Sequence, residues 1–218
     1  MPYSPFVQTA EQLPATLPIF PLENAVVMPR TDLPLNIFEP RYLNMVNDAI
    51  ASHRLIGMVQ PDPGLQGKVT PVYRTGCAGR ITAFSETSDG RMLITLTGVC
   101  RFDIGQELST IRGYRLIEPL WSRFLADLEA PPNNSDENKD EILELLRRYF
   151  KINKLSVDWE LLEPLSTLVL VHTMTTLLPL EPAEKQAILE TETLPDRTRV
   201  LRSTLEFGLR QSSHTSRH

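Results

Sequence analysis

Few residues of this chain could do chemistry, and none stands at a spacing that a reaction requires. The nearest approach to a phosphate-binding loop is Asp62-Pro63-Gly64-Leu65-Gln66-Gly67-Lys68-Val69. Such a loop needs glycine at its first position, so that backbone N–H groups can wrap the phosphates, and a hydroxyl after the lysine to hold magnesium. Asp62 and Val69 supply neither, and the segment reads as a surface loop. A serine–lysine pair needs a lysine buried enough to lose its proton. Lys68, Lys139, Lys151, Lys154 and Lys185 all fall in loops or on polar helix faces by pattern, so self-contained proteolysis is not expected. His53 follows the C-terminal end of a helix, where a cation is favourable. His172 lies inside an apolar helix and is expected to hydrogen-bond a backbone or threonine group. His214 and His218 lie in a polar tail, and no histidine pairing with acidic residues has metal-ligand spacing. Cys77 and Cys100 fall on neighbouring strands. They read as two buried thiols, with a redox pair as the alternative. No cofactor and no metal are expected.

The remaining candidates concern recognition. Glu39 and Arg41 can pair and so tie the first helix to the strands before it, or they can face a peptide. Half-buried charges beside Phe38 and Tyr42 would be costly unpaired, so pairing is expected. Phe20, Phe38 and Tyr42 read as core because aromatic rings carry large apolar area. If this part of the chain grips another polypeptide, Phe20, Pro21, Phe38, Glu39, Arg41 and Tyr42 form the surface expected to do it.

Length and composition bound what can position these residues. A chain of 218 residues suits one large domain or two small ones. Hydrophobic residues at 41% and charged residues at 22% are near the globular norm, so a packed core is expected. The net charge is −5, with 11 basic against 13 acidic residues before Ala130 and 11 against 14 after it. Neither half is basic, which argues against tight binding through phosphate neutralisation. The opening Met1-Pro2-Tyr3-Ser4-Pro5 shows no charged leader before an apolar stretch. Residues 161–180 are the most apolar, but Glu163, Pro164 and His172 interrupt them, so they read as a buried helix and not a membrane span. Two cysteines make no disulfide scaffold, and a reducing cytoplasm is the expected compartment.

The first 120 residues read as mostly β. Leu17-Pro18-Ile19-Phe20-Pro21-Leu22 is short, apolar and proline-flanked, which suggests an edge strand. Residues 33–38 and 55–59 are further strands, and 40–51 a helix with Pro40 at its start. Residues 79–87 and 91–105 flank the turn Ser88-Asp89-Gly90 as a hairpin. Met92, Ile94, Leu96, Gly98, Cys100, Phe102 and Ile104 share one parity, with Thr95, Thr97, Arg101 and Asp103 on the other. Period two over this length predicts a long strand with one buried face, and Gly98 predicts a bulge or bend. Residues 114–121 are another strand. Residues 130–136 read as a linker, and the chain after it as helical. Ile142, Leu145, Leu146, Tyr149 and Phe150 follow helical spacing, with Asp136, Glu137, Asp140 and Glu141 at the positive end of the dipole. Residues 158–178 read as one central helix, 182–190 and 196–211 as two more, and 211–218 as a disordered tail.

The opening segments also resemble the amino-terminal, substrate-binding domain family of Lon proteases. The resemblance rests on Leu17-Pro18-Ile19-Phe20-Pro21-Leu22, Val27-Met28-Pro29, Leu33-Pro34-Leu35 and, most specifically, Ile37-Phe38-Glu39-Pro40-Arg41-Tyr42. Gly79-Arg80-Ile81 and Gly98-Val99-Cys100-Arg101-Phe102 look like the family's later strands. It implies an α+β fold: a PUA-like six-stranded pseudo-β-barrel with one early helix, over residues 12–128, followed by a C-terminal helical bundle over 136–211. It also implies a role in holding unfolded or degron-bearing polypeptides. The full proteases continue into an AAA-type ATPase and a Ser-Lys peptidase, for which 218 residues leave no room, and the peptidase motif around the serine is absent. The expected function is therefore a non-catalytic polypeptide-binding module, an adaptor or holdase working with a separate protease or chaperone, without membrane contact. A PUA-like RNA-binding module is the alternative, disfavoured by the acidic balance, and an enzyme with an unrecognised site ranks third. The first reading predicts an exposed apolar patch larger than roughly a few hundred Å2.

Overall fold

The computed structural model describes residues 9–67, 70–129 and 139–215. The expected linker at 130–136, the acidic pair Asp136 and Glu137, and Lys68, Val69 and His218 lie outside them.

Six strands form one sheet: β1 (Leu17–Pro21), β2 (Asp32–Ile37), β3 (Leu55–Val59), β4 (Thr75–Glu86), β5 (Met92–Leu108) and β6 (Arg115–Leu120). Their order is β2-β5-β4-β3-β1-β6, and an added pairing of β5 with β6 closes five of them into a ring. The length of β5 makes this possible. Its first half pairs with β2, from Ile37↔Met92 to Asp32↔Thr97, and its second half pairs with β6, from Asp103↔Leu120 to Leu108↔Leu116. The register along β4 shifts so that Ala78 faces Cys100 and Gly79 faces Gly98. Val99 is thus the extra residue of a bulge beside the glycine singled out above. Gly98 has a second reason to lack a side chain, since a Cβ there would lie 2.0 Å from the Met28 carbonyl oxygen.

Strand β1 is not the edge strand that its prolines suggested. It lies between β3 and β6. Its two ladders are staggered: Leu17, Pro18 and Ile19 meet β6, while Ile19, Phe20 and Pro21 meet β3. They overlap only at Ile19, so each proline stands where one neighbouring strand is present. The terminal strand is β2, which carries Pro34.

Helix α1 (Pro40–Ile50) starts on a proline whose missing N–H costs nothing there. It buries Tyr42, Met45, Val46 and Ala49 against the sheet. After β6 a short 3-10 helix, Ser122–Leu128, buries Phe124. Five helices follow: α2 (Lys139–Ile152), α3 (Trp159–Leu162), α4 (Thr167–Leu177), α5 (Pro182–Glu190) and α6 (Leu194–Thr215). The central helix expected over 158–178 is two, because Pro164 ends the first and the Ser166 hydroxyl accepts from the Val169 N–H to cap the second. The expected disordered tail is helical as far as Thr215.

The helices have a core of their own, in which Leu146, Leu170, Met174, Ile188, Leu201 and Leu205 pack together. The barrel has two clusters, and one residue from the helices, Leu189 of α5, enters one of them.

Candidate functional site

All six residues expected to form a recognition surface line one cavity of about 290 Å3, between the end of β1, strand β2 and the start of α1. The chain path explains why. Phe20 and Pro21 end β1, Phe38 and Glu39 follow β2, and Pro40 turns the chain into α1 so that Arg41 and Tyr42 face back over β1. The Phe20 and Tyr42 rings touch, with centroids 4.3 Å apart. Burial raises the Tyr42 phenol, so it stays neutral at physiological pH. Both rings belong to the core, as expected.

Phe38 does not. It is 61% exposed, against the expectation of core, because it lies just past the end of the terminal strand. The Arg91 guanidinium stands 5.7 Å from its ring centroid. Glu39 and Arg41 pair at 2.8 Å, as expected. Their side chains are 45% and 53% exposed, and the bond joins neighbours at the start of α1. It therefore does not tie the helix to the barrel. Arg41 instead leans over the Tyr42 ring at 4.5 Å.

The cavity continues on both sides. Pro21, Arg41 and Tyr42 also border a cavity of about 220 Å3 with Pro61, Tyr114 and Arg115. There Tyr114 donates to Asp48 at 2.8 Å, and Arg115 grips Glu107 through two bonds at 2.8 and 2.9 Å. On the other side Pro34, Leu35 and Asn36 of β2 border an open depression with Phe84 and Leu93, which are 43% and 44% exposed. Phe84, Leu93 and Tyr114 went unread in the sequence. Phe84 and Leu93 have core-like types, but Leu93 stands on the face of β5 opposite Met92 and Ile94, and Phe84 lies in the exposed last part of β4.

A second polar site, at the joint between barrel and helices, escaped sequence reasoning almost entirely. Arg101, assigned by parity to the solvent face of β5, is 1% exposed. The bulge at Val99 reverses the parity, so Arg101 lies opposite Cys77 on the face of Ile81 and Leu96, where α5 and the 3-10 helix meet it. Arg101 forms a two-pronged pair with Asp127 at 2.8 and 2.9 Å and donates to the Leu189 and Thr191 carbonyls at 3.0 and 2.6 Å. Arg197 donates to the Thr191 and Glu192 carbonyls, and Arg123 to that of Glu190. Guanidinium groups thus satisfy the carbonyls at the negative end of α5. Burial raises the Asp127 carboxyl, but the hydrogen bonds and charge of Arg101 outweigh it and hold the group below the ordinary range.

His172 is a satisfied core histidine, as expected, and its partner is the Pro29 carbonyl at 2.7 Å. Lys185 is not on a polar face. It is 4% exposed and donates to the Asn24 and Thr176 carbonyls, both at 3.2 Å, and burial lowers its pKa. Gln60 of the barrel donates to Pro182 and Gln186 of α5. Cys77 faces Arg101 across the sheet and Ala78 faces Cys100, so the thiols lie on opposite faces and form no redox pair. Burial pushes both well up. Among the described residues no cluster of three His, Cys, Asp or Glu side chains could hold a metal, and no helix is long and apolar enough to cross a membrane. In the loop once compared with a phosphate-binding turn, the Asp62 carboxylate accepts from the Gly64 N–H at 2.8 Å.

Comparison with known proteins agrees with this geometry. The family model for the ATP-dependent protease La (LON) substrate-binding domain matches residues 16–206. Lon protease of Flavobacterium johnsoniae is 28% identical over 142 residues, which cover 62% of this chain and 16% of that protein. Lon protease of Parabacteroides distasonis is 27% identical over 145 residues, 65% of this chain and 17% of that one. The match thus spans about a sixth of these relatives' length. Among solved structures, the Lon N-terminal domain protein from Xanthomonas campestris aligns with a TM-score of 0.59 at 22% identity, covering 86% of this chain and 97% of its own. The N-terminal domain of Lon protease from the Mycobacterium avium complex aligns at 0.62 and 18%, covering 88% and 98%. At these identities the likeness concerns the fold.

Proposed function

Because the chain belongs to the family of the ATP-dependent protease La (LON) substrate-binding domain, we propose that it recognises polypeptide segments and leaves them uncut. The observation that carries this reading is Phe38, exposed at the mouth of a cavity walled by Phe20, Pro21 and Tyr42. Leaving a phenylalanine in water forgoes roughly 1.5–3 kcal/mol of burial. One exposed apolar side chain is ordinary, but Phe84 and Leu93 extend this one along β2. Among the described residues strand β2 has one neighbour in the sheet, so an extended segment could add to its other edge and seat alternate side chains in the depressions beside it.

The ligand class is an extended, largely uncharged polypeptide with exposed apolar side chains, as in unfolded or degron-bearing chains. The rim arginines Arg41 and Arg115 are each paired with a carboxylate, which favours polypeptide over RNA. The role that follows is that of an adaptor or holdase for a separate protease or chaperone, in a reducing compartment that suits two buried thiols. Incubation with a labelled, permanently unfolded casein, with and without ATP, tests it. The expected result is a complex without cleavage, weakened about tenfold by Phe38→Ala, as for a central aromatic anchor. Cleavage by the pure chain, or RNA binding with a steep salt dependence in place of casein binding, overturns it.

A further inference from the structure

We propose that the joint between barrel and helices is an acid-released latch with His172 of α4 as its trigger: the joint closes on the neutral imidazole, and a second proton on that ring opens it. The ring spans the two parts of the molecule. Its Nδ1–H donates to the Pro29 carbonyl, in the loop between β1 and β2, at 2.7 Å. Its Nε2 meets Nη1 of Arg197 on α6. A guanidinium has only donors, so Nε2 must accept and the single ring proton must sit on Nδ1. A second proton would point at a donor.

Nothing nearby would take it. Around His172 stand Arg30 from the β1–β2 loop, Arg101 from β5, Asp127 from the 3-10 helix, Glu129 just past that helix, Glu192 from the α5–α6 turn and Arg197 from α6, with the neutral Cys77 thiol of β4 close to Arg197. Three guanidiniums therefore stand among three carboxylates, of which Glu129 lies out in solvent. Asp127 is already engaged by Arg101, and Glu192 by Arg123. Arg197 is held in place by the carbonyls of Thr191 and Glu192. Burial first, and then the charge of Arg197, keep the imidazole pKa down at about 3 while the joint is closed. To accept the proton, α4 and α6 must part from the Pro29 loop, loosening α5, which joins them and is held to β5 by Arg101, after which the ring returns to an ordinary pKa of roughly 6.5. Below that pH the open form takes a proton that the closed form refuses, and the opening constant rises by up to about tenfold per pH unit. The latch stands apart from the reading of the groove and holds whether or not polypeptide binds there.

Hydrogen-exchange protection factors of the whole chain, corrected for the intrinsic rate at each pH, test it. Between pH 6 and pH 5, protection of α5 amides is expected to fall by about tenfold while the centres of β4 and β5 stay protected. In His172→Gln, whose amide oxygen can accept from Arg197 but does not titrate, that slope should vanish. An unchanged slope in the variant, no slope in the native chain, or an equal loss across β4 and β5 overturns the latch. Should the variant fail to fold, nitrogen chemical shifts of His172 in the native chain decide. They should keep the Nδ1–H form down to pH 5 in the closed state, and titration near 6.5 without loss of α5 protection overturns the proposal.

Discussion

Two arginine–carboxylate pairs in this protein share a separation of 2.8 Å and live in opposite surroundings. Glu39–Arg41 sits at the rim of the groove with both side chains about half exposed. Arg101–Asp127 sits in the joint with 2% and 6% exposure. At the rim, water screens the charges and would solvate either partner left alone. In the joint, each charge has given up its water, and its partner together with the carbonyls of α5 stands in place of the lost solvent. Distance alone does not measure an ion pair; the cost of leaving one partner behind does. The same contrast separates the two regions as wholes. The groove leaves apolar side chains in water, whereas the joint takes polar side chains out of it.

Removing one charge from each pair breaks or sharpens this comparison. The largest effect is expected from Asp127→Ala, which strands the Arg101 guanidinium: about 3–5 kcal/mol of stability lost, read from urea denaturation. A loss under about 1 kcal/mol would mean that the carbonyls of α5 carry Arg101 without its carboxylate. Acid should act on the same region. His172 has a folded pKa of about 3, below its unfolded value, so the unfolded chain takes the proton first. Stability should then fall as pH drops from roughly 6.5 towards 3, by up to about 1.4 kcal/mol per unit. Asp127, also lowered, adds a loss as pH falls through its folded pKa. Midpoints of urea curves taken from pH 7 to pH 4 would reveal a flat profile if His172 were accessible. At the groove, Phe38→Ala should change stability by no more than about 0.5 kcal/mol while weakening polypeptide binding, which calorimetry and a binding titration separate. The smallest effect belongs to Glu39→Gln, less than about 1 kcal/mol in thermal denaturation. A cost equal to that of Asp127→Ala would erase the distinction drawn here.

The barrel was legible in the sequence where one strand has one covered face. The alternation from Met92 to Leu96 predicted burial correctly, and Gly98 marked the bulge beside it. Past the bulge the rule failed at Arg101, because the extra residue reverses the parity and turns Arg101 to the face of Ile81 and Leu96, opposite Cys77. Val99, apolar and buried on the supposedly wet side, was the available signal. The groove was legible as a cluster of residues, since all six lie in two of the motifs that carry the family resemblance. Which of its rings would be exposed was not. Phe20 and Phe38 are the same residue type, and only their positions, inside the ring or past the end of β2, separate them.

Helix α5 shows the limit most clearly. Its Lys185 and Gln186 give no amphipathic pattern, yet both are buried, because the barrel carbonyls and Gln60 that receive them come from segments more than a hundred residues away. Residue types and their spacing determined that this chain folds as strands and then helices, where the turns fall, and that its opening segments match a known family. Those outcomes follow from local backbone preferences and from apolar periodicity, which a sequence displays directly. Which polar groups would be dry, which phenylalanine would be wet and which histidine would join the two parts were decided only by packing, since burial belongs to the neighbours of a side chain in space and not to the side chain itself.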